Sequence, residues 1–191
     1  MSVRVVTDSA SDLTDEEASA LGITIVPLSI RFGEEELIDR IELGADEFYA
    51  RMAASDGVPG TAAPPPGAFK TAFDNCFEDG ANTVVCINLS SGVSATLEAA
   101  EVGARELGDR DIRIIDSRSV TSGLGTMVLT AGRTANNGAS AEEVVSVVES
   151  LKQRTYVYAA LDTLENLKKG GRIGSAQALL GNMLSIKPII D

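Results

Sequence analysis

The feature that most constrains the fold is a strand-like run that passes directly into a turn of small hydroxyl residues and then into a helix. The apolar run at residues 83–87 is followed by Asn-Leu-Ser-Ser-Gly-Val-Ser-Ala-Thr at residues 88–96, and an Ala/Glu-rich segment continues to residue 107. A continuous apolar run is typical of a strand buried on both faces of a parallel sheet. Because the first N–H groups of a helix are unpaired and partly positive, this junction predicts an anion site.

The same alternation of strand and helix patterns extends along the chain. Strands are predicted at residues 3–7, 23–30, 36–41, 83–87 and 111–115, and helices at 14–21, 46–54, 67–77, 97–107, 125–136 and 140–153. Capping-box patterns at Thr14/Glu17 and Ser140/Glu143 mark two helix starts. Residues 55–66, rich in proline and glycine, are predicted to be a loop. Strands separated by helices indicate an α/β fold, a mostly parallel sheet flanked by helices.

In such a fold, ligands bind beyond the carboxyl ends of the strands, in the loops that lead into helices. Four loops of this kind are polar, and we expect their side chains to converge: residues 7–12, 88–96, 116–119 and the region after residue 161. Asp8, Asp12 and Asp116 at these strand ends are interpreted as residues that fix the turns and cap the following helices.

The chain divides into two predicted domains. Residues 1–153 form an N-terminal α/β domain, and residues 154–191 begin a second one. In this second part a strand is predicted at 155–161, a short helix at 164–169, a helix at 175–184 and a strand-like apolar run at 186–191. Since an unpartnered apolar edge favours aggregation, we expect either that the chain stops partway through this domain or that another chain covers the end.

Composition excludes several classes of function. The formal net charge of −12 disfavours nucleic acid as a partner, and the absence of histidine removes the commonest general base and metal ligand. No Ser–His or Cys–His pair, Walker motif or cluster of metal ligands occurs, so we expect no metal, no cofactor and no catalysis by this chain. No apolar run is long enough to span a bilayer and no signal peptide is evident, which predicts a cytoplasmic protein without a transmembrane segment.

Several motifs together resemble the DegV family. The chain has Thr-Asp-Ser-Ala-Ser-Asp-Leu at residues 7–13, where the family has Thr-Asp-Ser-x-Ser-Asp-Leu. Further similar segments follow in the expected order: residues 60–64, 90–96, 115–117, 164–174 and 186–188. Alanines replace the family's usual residues at positions 62, 63 and 95. Family members also continue past residue 191 and carry, in that later part, a histidine near the ligand carboxylate.

The resemblance implies a bacterial fatty-acid-binding protein with two α/β domains and an acyl chain buried in an apolar tunnel between or within them. It would be the binding subunit of a fatty acid kinase, presenting a long-chain fatty acid to a separate ATP-dependent kinase subunit. By position, Thr61 and Ser94 would contact the fatty-acid carboxylate. Ser91 and Gly92 would support the loop, and Arg172 would lie near the carboxylate or on the kinase-facing surface.

Other interpretations of these residues stay open. A serine beside a helix start is often only an N-cap, so Ser94 has a structural alternative, with Ser90 or Ser91 as competing caps. Thr61, in a proline-rich segment, is by sequence alone more typical of an exposed loop residue. The same helix start also suits a phosphate, so a small-molecule enzyme or phosphate-ester binder is the alternative function, and a protein-interaction domain is a third.

Overall fold

The computed structural model describes residues 2–55, 57–174 and 187–190. Its central sheet has four parallel strands in the order β2-β1-β6-β7. They are β1 (Val3–Asp8), β2 (Thr24–Val26), β6 (Thr83–Asn88) and β7 (Ile112–Asp116). All six residues of β6 are buried, as its continuous apolar sequence predicts. The predicted α/β fold with a parallel sheet is confirmed.

Helices cover both faces of this sheet because alternate strand residues point to opposite sides. On one face Val85 and Ile87 of β6 pack in a cluster with α1 (Asp15–Leu21), α5 (Thr121–Asn136) and α6 (Ala141–Lys152). On the other face Val84 and Cys86 pack with α3 (Pro66–Glu78) and α4 (Thr96–Arg105). Both predicted capping boxes, Thr14 with Glu17 and Ser140 with Glu143, are present at the starts of α1 and α6.

A second, antiparallel sheet extends from the first. It consists of β3 (Ser29–Phe32), β4 (Glu35–Ile38) and β5 (Gly60–Ala62) in the order β4-β3-β5, with α2 (Ala45–Ala54) between β4 and β5. We call residues 29–62 the antiparallel arm.

The arm corrects three predictions. The single strand predicted at 23–30 is two strands in different sheets, separated at Pro27, which has no N–H to donate. The strand predicted at 36–41 spans Glu35–Ile38. The loop predicted at 55–66 contains β5, which pairs with β3 from Ser29 to Arg31.

The last described elements follow α6 along the chain. They are β8 (Ala159–Ala160), α7 (Glu165–Lys169) and β9 (Ile189–Ile190), and β8 pairs with β9 antiparallel. The strand predicted at 155–161 is therefore only two residues long. The helix predicted at 175–184 lies outside the described residues, and the domain boundary after residue 153 stays a prediction. No helix in the described part of the chain is long and apolar enough to cross a membrane.

Candidate functional site

The candidate site begins at the carboxyl edge of the parallel sheet, where β1 and β6 end in Asp8 and Asn88. The Asp8 carboxylate is 0% exposed and accepts hydrogen bonds from Asn88 Nδ2 at 3.0 Å, the Leu89 N–H at 2.9 Å and the Ala10 N–H at 3.1 Å. Burial raises the pKa of Asp8, while these hydrogen bonds act in the opposite direction. The network fixes the point at which the chain leaves β6, and the interpretation of Asp8 as a turn-fixing residue is confirmed.

The loop that follows β6, residues 90–95, is called here the serine loop. Its first residues are attached to the end of β7. Asp116 accepts the Ser91 Oγ–H at 2.6 Å and the Ser91 N–H at 3.2 Å, and the Ser90 N–H donates to the Ser119 carbonyl at 2.9 Å. The predicted convergence of the loops after β1, β6 and β7 is therefore confirmed.

Ser94 lies at the end of the serine loop, immediately before α4. It is half-buried, its Oγ is 2.8 Å from Thr96 Oγ1, and the Thr96 N–H donates to it at 3.3 Å. The N-cap residue of α4 is Ala95, and no side chain caps the helix there. Ser94 thus has a local structural role in the turn, while Ser90 and Ser91 do not cap α4. Ser91 instead binds Asp116, and the exposed Gly92 donates its N–H to Ser90 Oγ at 3.3 Å.

Thr61 lies on β5, opposite Ile30 of β3, with its side chain exposed. With the three residues before it, Thr61 lines a pocket of about 660 Å³, and the rest of the lining comes from residues 160–172. This volume is in the range of ordinary small-molecule sites. The lining is Val58, Pro59, Gly60, Thr61, Ala160, Leu161, Asp162, Thr163, Asn166, Leu167, Lys169, Gly170 and Arg172. The region after residue 161 thus meets Thr61, which lies outside the four loops that were predicted to converge.

Arg172 connects this pocket with the serine loop. Its Nη1 donates to the Gly170 carbonyl at 2.7 Å and its Nε to the Val93 carbonyl at 3.2 Å. Both acceptors are uncharged, so they orient the guanidinium without neutralising it, and its charge can act on an anion. The structure thus brings Thr61 and Arg172 to one pocket. Ser94, the residue after Val93, is not among the described residues that line it.

Two contributions to the site were missed by the sequence analysis. The Val93 carbonyl is a backbone acceptor, and nothing in a valine's identity signals that an arginine 79 residues later donates to it. Of the pocket wall at residues 160–163, the first two residues were predicted to end a strand, and only the region after residue 161 was indicated as a polar loop. In the described ranges no group of three or more His, Cys, Asp or Glu side chains is placed to hold a metal ion.

Residues 2–191 match the family model described as "Uncharacterised protein, DegV family". The chain belongs to the DegV family. A DegV domain-containing protein of Deinococcus radiodurans is 37% identical over 190 residues, a match that covers 100% of this chain and 67% of the relative. The resemblance indicated by the sequence motifs is therefore confirmed over nearly the whole chain.

Two solved structures of DegV proteins are similar to this one. A fatty-acid-binding DegV family protein of Thermus thermophilus superposes with a TM-score of 0.91 at 33% identity. DegV of Bacillus subtilis, a fatty acid binding protein, superposes with a TM-score of 0.87 at 32% identity. Each match covers 99% of this chain and 67% of the solved chain. The chain therefore has the fold of DegV proteins and spans about two thirds of the length of these relatives.

Proposed function

We propose that this DegV-family protein binds a long-chain fatty acid, with the acid's carboxylate held by Thr61 and Ser94 beside Arg172. One observation carries the proposal: Arg172 lines the same pocket as Thr61 and donates to Val93, the neighbour of Ser94. A positive charge thereby lies between the pocket of Thr61 and the serine loop that leads into α4. The DegV proteins of Thermus thermophilus and Bacillus subtilis are described as binding fatty acids, which supports the choice of ligand.

The energetics of such a ligand divide between its two ends. Burial of hydrocarbon contributes about 0.8 kcal/mol per CH₂, so about 14 buried methylenes contribute on the order of 11 kcal/mol before the cost of association. A hydrogen bond to a charged group contributes only about 1.5–3 kcal/mol. The acyl tail would therefore supply most of the affinity, and the residues around the carboxylate would set the orientation of the ligand.

The second part of the proposal is that the protein presents the carboxylate to a partner kinase and does not itself catalyse the phosphorylation. Thr61 is exposed and Val93 is 39% exposed, so the head-group region is accessible to another protein. Thr61 and Ser94 are neutral donors and Arg172 is exposed, so together they would hold a carboxylate less tightly than a buried ion pair would. An oxygen of the carboxylate is then available to attack a phosphoryl donor. Because the kinase step would consume ATP, we propose that the protein acts in the cytoplasm.

Ligand binding is tested first, on purified full-length protein. Organic extracts of the denatured protein are analysed by mass spectrometry, and binding of radiolabelled oleate and palmitate is measured by equilibrium dialysis. We expect a fatty acid in the extract or saturable binding, weakened in Thr61→Ala and Ser94→Ala. No fatty acid in either measurement contradicts the proposal. A phosphorylated metabolite in the extract would instead favour the phosphate-ester alternative.

Presentation to a kinase is tested separately. The fatty-acid-loaded protein is mixed with ATP and a bacterial fatty acid kinase subunit, and acyl phosphate is trapped with hydroxylamine as the hydroxamate. We expect hydroxamate only when both proteins are present. Kinase subunits from several bacteria are tried, each checked first for activity with its own binding subunit. If all of them are active in that check but none is active with this protein, the kinase part of the proposal is contradicted. Fatty-acid binding would be unaffected by that result.

A further inference from the structure

We propose that Asp116 is a positioning residue for the carboxylate site, one that holds the serine loop in the conformation that presents Ser94 to the ligand. The inference rests on the proposed function, because it assigns a role within the same site. Asp116 is not expected to touch the fatty acid. It acts through Ser91.

The contacts of Asp116 involve two segments of backbone. Its carboxylate accepts the Ser91 Oγ–H at 2.6 Å, the Ser91 N–H at 3.2 Å and the Arg118 N–H at 2.9 Å. The hydroxyl bond is short, as expected for an O–H group donating to an ionised carboxylate. The neighbouring Ser117 N–H donates to the Asn88 carbonyl at 3.1 Å. The loops after β6 and β7 are therefore fastened to each other at this point.

If Ser91 lost its contact with Asp116 and moved, the local turn would move Ser94 as well. The N–H groups of Val93 and Ser94 both donate to the Ser90 carbonyl, at 3.1 Å and 3.3 Å, so Ser91 lies inside the turn that these bonds close. Val93 in turn holds Arg172 through its carbonyl. Release of Ser91 from Asp116 is therefore expected to disturb both the hydroxyl and the guanidinium of the proposed site.

A carboxylate suits this position although its charge opposes the binding of an anion. Three donors converge on it, and a carboxylate has two acceptor oxygens, whereas an asparagine has one oxygen and an NH₂ group that is itself a donor. Partial burial acts to raise the pKa of Asp116, but the hydrogen bonds from Ser91 and Arg118 outweigh it and hold the pKa below its ordinary value. At neutral pH the Asp116 carboxylate is ionised, and its oxygens already accept hydrogen bonds from Ser91 and Arg118.

The chain contains a matched control at the opposite end of the same strand. Asp111, just before β7, accepts the Thr83 Oγ1–H at 2.9 Å and the Arg113 Nε–H at 2.8 Å. Asp111→Ala therefore removes a carboxylate with comparable contacts, far along the strand from the serine loop. Oleate and oleyl alcohol serve as ligands, since they share a tail and differ in the charged head group.

Binding of both ligands is measured for the full-length wild type, Asp116→Ala and Asp111→Ala, with urea unfolding as the measure of stability. We expect Asp116→Ala to weaken oleate binding about tenfold and oleyl alcohol binding by less than about twofold. Asp111→Ala is expected to leave both affinities unchanged at a similar loss of stability. Asp116→Asn, which keeps one acceptor oxygen, should lie between the wild type and Asp116→Ala, and it provides the same comparison if the alanine variant does not fold.

Equal losses for the acid and the alcohol would show a general structural role and overturn the inference, as would unchanged oleate binding in Asp116→Ala. The double variant Ser91→Ala/Asp116→Ala tests the route: it should bind oleate no more weakly than Asp116→Ala alone, and additive losses would contradict transmission through Ser91. A wild type that binds neither ligand overturns the proposed function and this inference together. A wild type that binds oleate, with unaffected variants, overturns only the inference.

Discussion

The two residues proposed to hold the carboxylate, Ser94 and Thr61, belong to regions of opposite character. The serine loop follows β6, whose residues are all buried between layers of helices. Thr61 lies in the antiparallel arm, where no residue of β3, β4 or β5 is buried. The arm is held by strand pairing, by the buried Leu43, and by ion pairs of Arg51 with Glu35 and Glu47 and of Arg40 with Asp15 of α1. The Ser94 half of the site is therefore fixed by the core. The arm that carries Thr61 is expected to unfold locally at a lower free energy than the parallel sheet.

The largest difference in stability is expected when a phenylalanine is replaced by alanine in each of the two regions. Phe73 of α3 is 0% exposed beneath the parallel sheet, and Phe73→Ala should lower the free energy of unfolding by about 3–5 kcal/mol. Phe32 of the arm is half-buried against Phe48, at 6.0 Å between ring centroids, so Phe32→Ala should cost less than about 2 kcal/mol. Urea unfolding followed by circular dichroism measures both, and equal losses would refute the contrast.

A smaller effect is expected from adding one methyl group in each region. A Cβ at Gly103 of α4 would lie 2.6 Å from the Pro66 carbonyl oxygen, so Gly103→Ala should destabilise by about 1–3 kcal/mol. A Cβ at Gly60 of the arm would meet Arg31 at 3.9 Å, an ordinary contact, and Gly60→Ala should be neutral or slightly stabilising. Thermal unfolding of the two variants provides the test. A destabilised Gly60→Ala would mean that the arm is packed as tightly as the core.

The two proposed ligand-binding residues should differ in what their removal costs the free protein. Ser94→Ala deprives the buried Thr96 hydroxyl of its partner at 2.8 Å and should cost about 1–2 kcal/mol of stability. Thr61→Ala alters an exposed side chain and should stay within about 0.5 kcal/mol of the wild type. Both should weaken oleate binding, so chemical denaturation and dialysis of the same samples separate the two roles. A large stability loss in Thr61→Ala would contradict this assignment.

The smallest effect concerns two carboxylates at the carboxyl edge whose pKa values shift in opposite directions. Burial raises the pKa of Asp8, so its stabilising contribution is present below about pH 4 and is lost as pH rises through the raised pKa. The pKa of Asp116 is lowered on balance, so its contribution is present above about pH 4 and is lost as pH falls through the lowered pKa.

Urea unfolding between about pH 3 and pH 7 tests this pair. As pH rises, the stability of the wild type relative to Asp8→Asn should fall, and that relative to Asp116→Asn should rise. Parallel trends in the two comparisons would show that the two carboxylates do not titrate oppositely.

Features encoded within a few residues were predicted correctly. The capping boxes at Thr14 and Ser140 are complete over four residues each, and the apolar run of β6 is buried on both faces as its composition indicates. The short strand β5 was missed because three residues between prolines carry no period of their own, and its partner β3 lies about 30 residues earlier. The division at Pro27 was missed in the same way, because residues 23–30 were predicted as one strand and no local pattern signals a change of sheet.

The sequence by itself determined the family, the alternation of strands and helices, and the edge of the sheet at which polar loops gather, because these depend on local patterns and on the direction of parallel strands. Tertiary structure alone decided which of those loops touch. The pairing of Ser91 with Asp116 spans 25 residues and that of Arg172 with Val93 spans 79. Such contacts are set by how the helices pack and where the arm lies, and no local propensity records them.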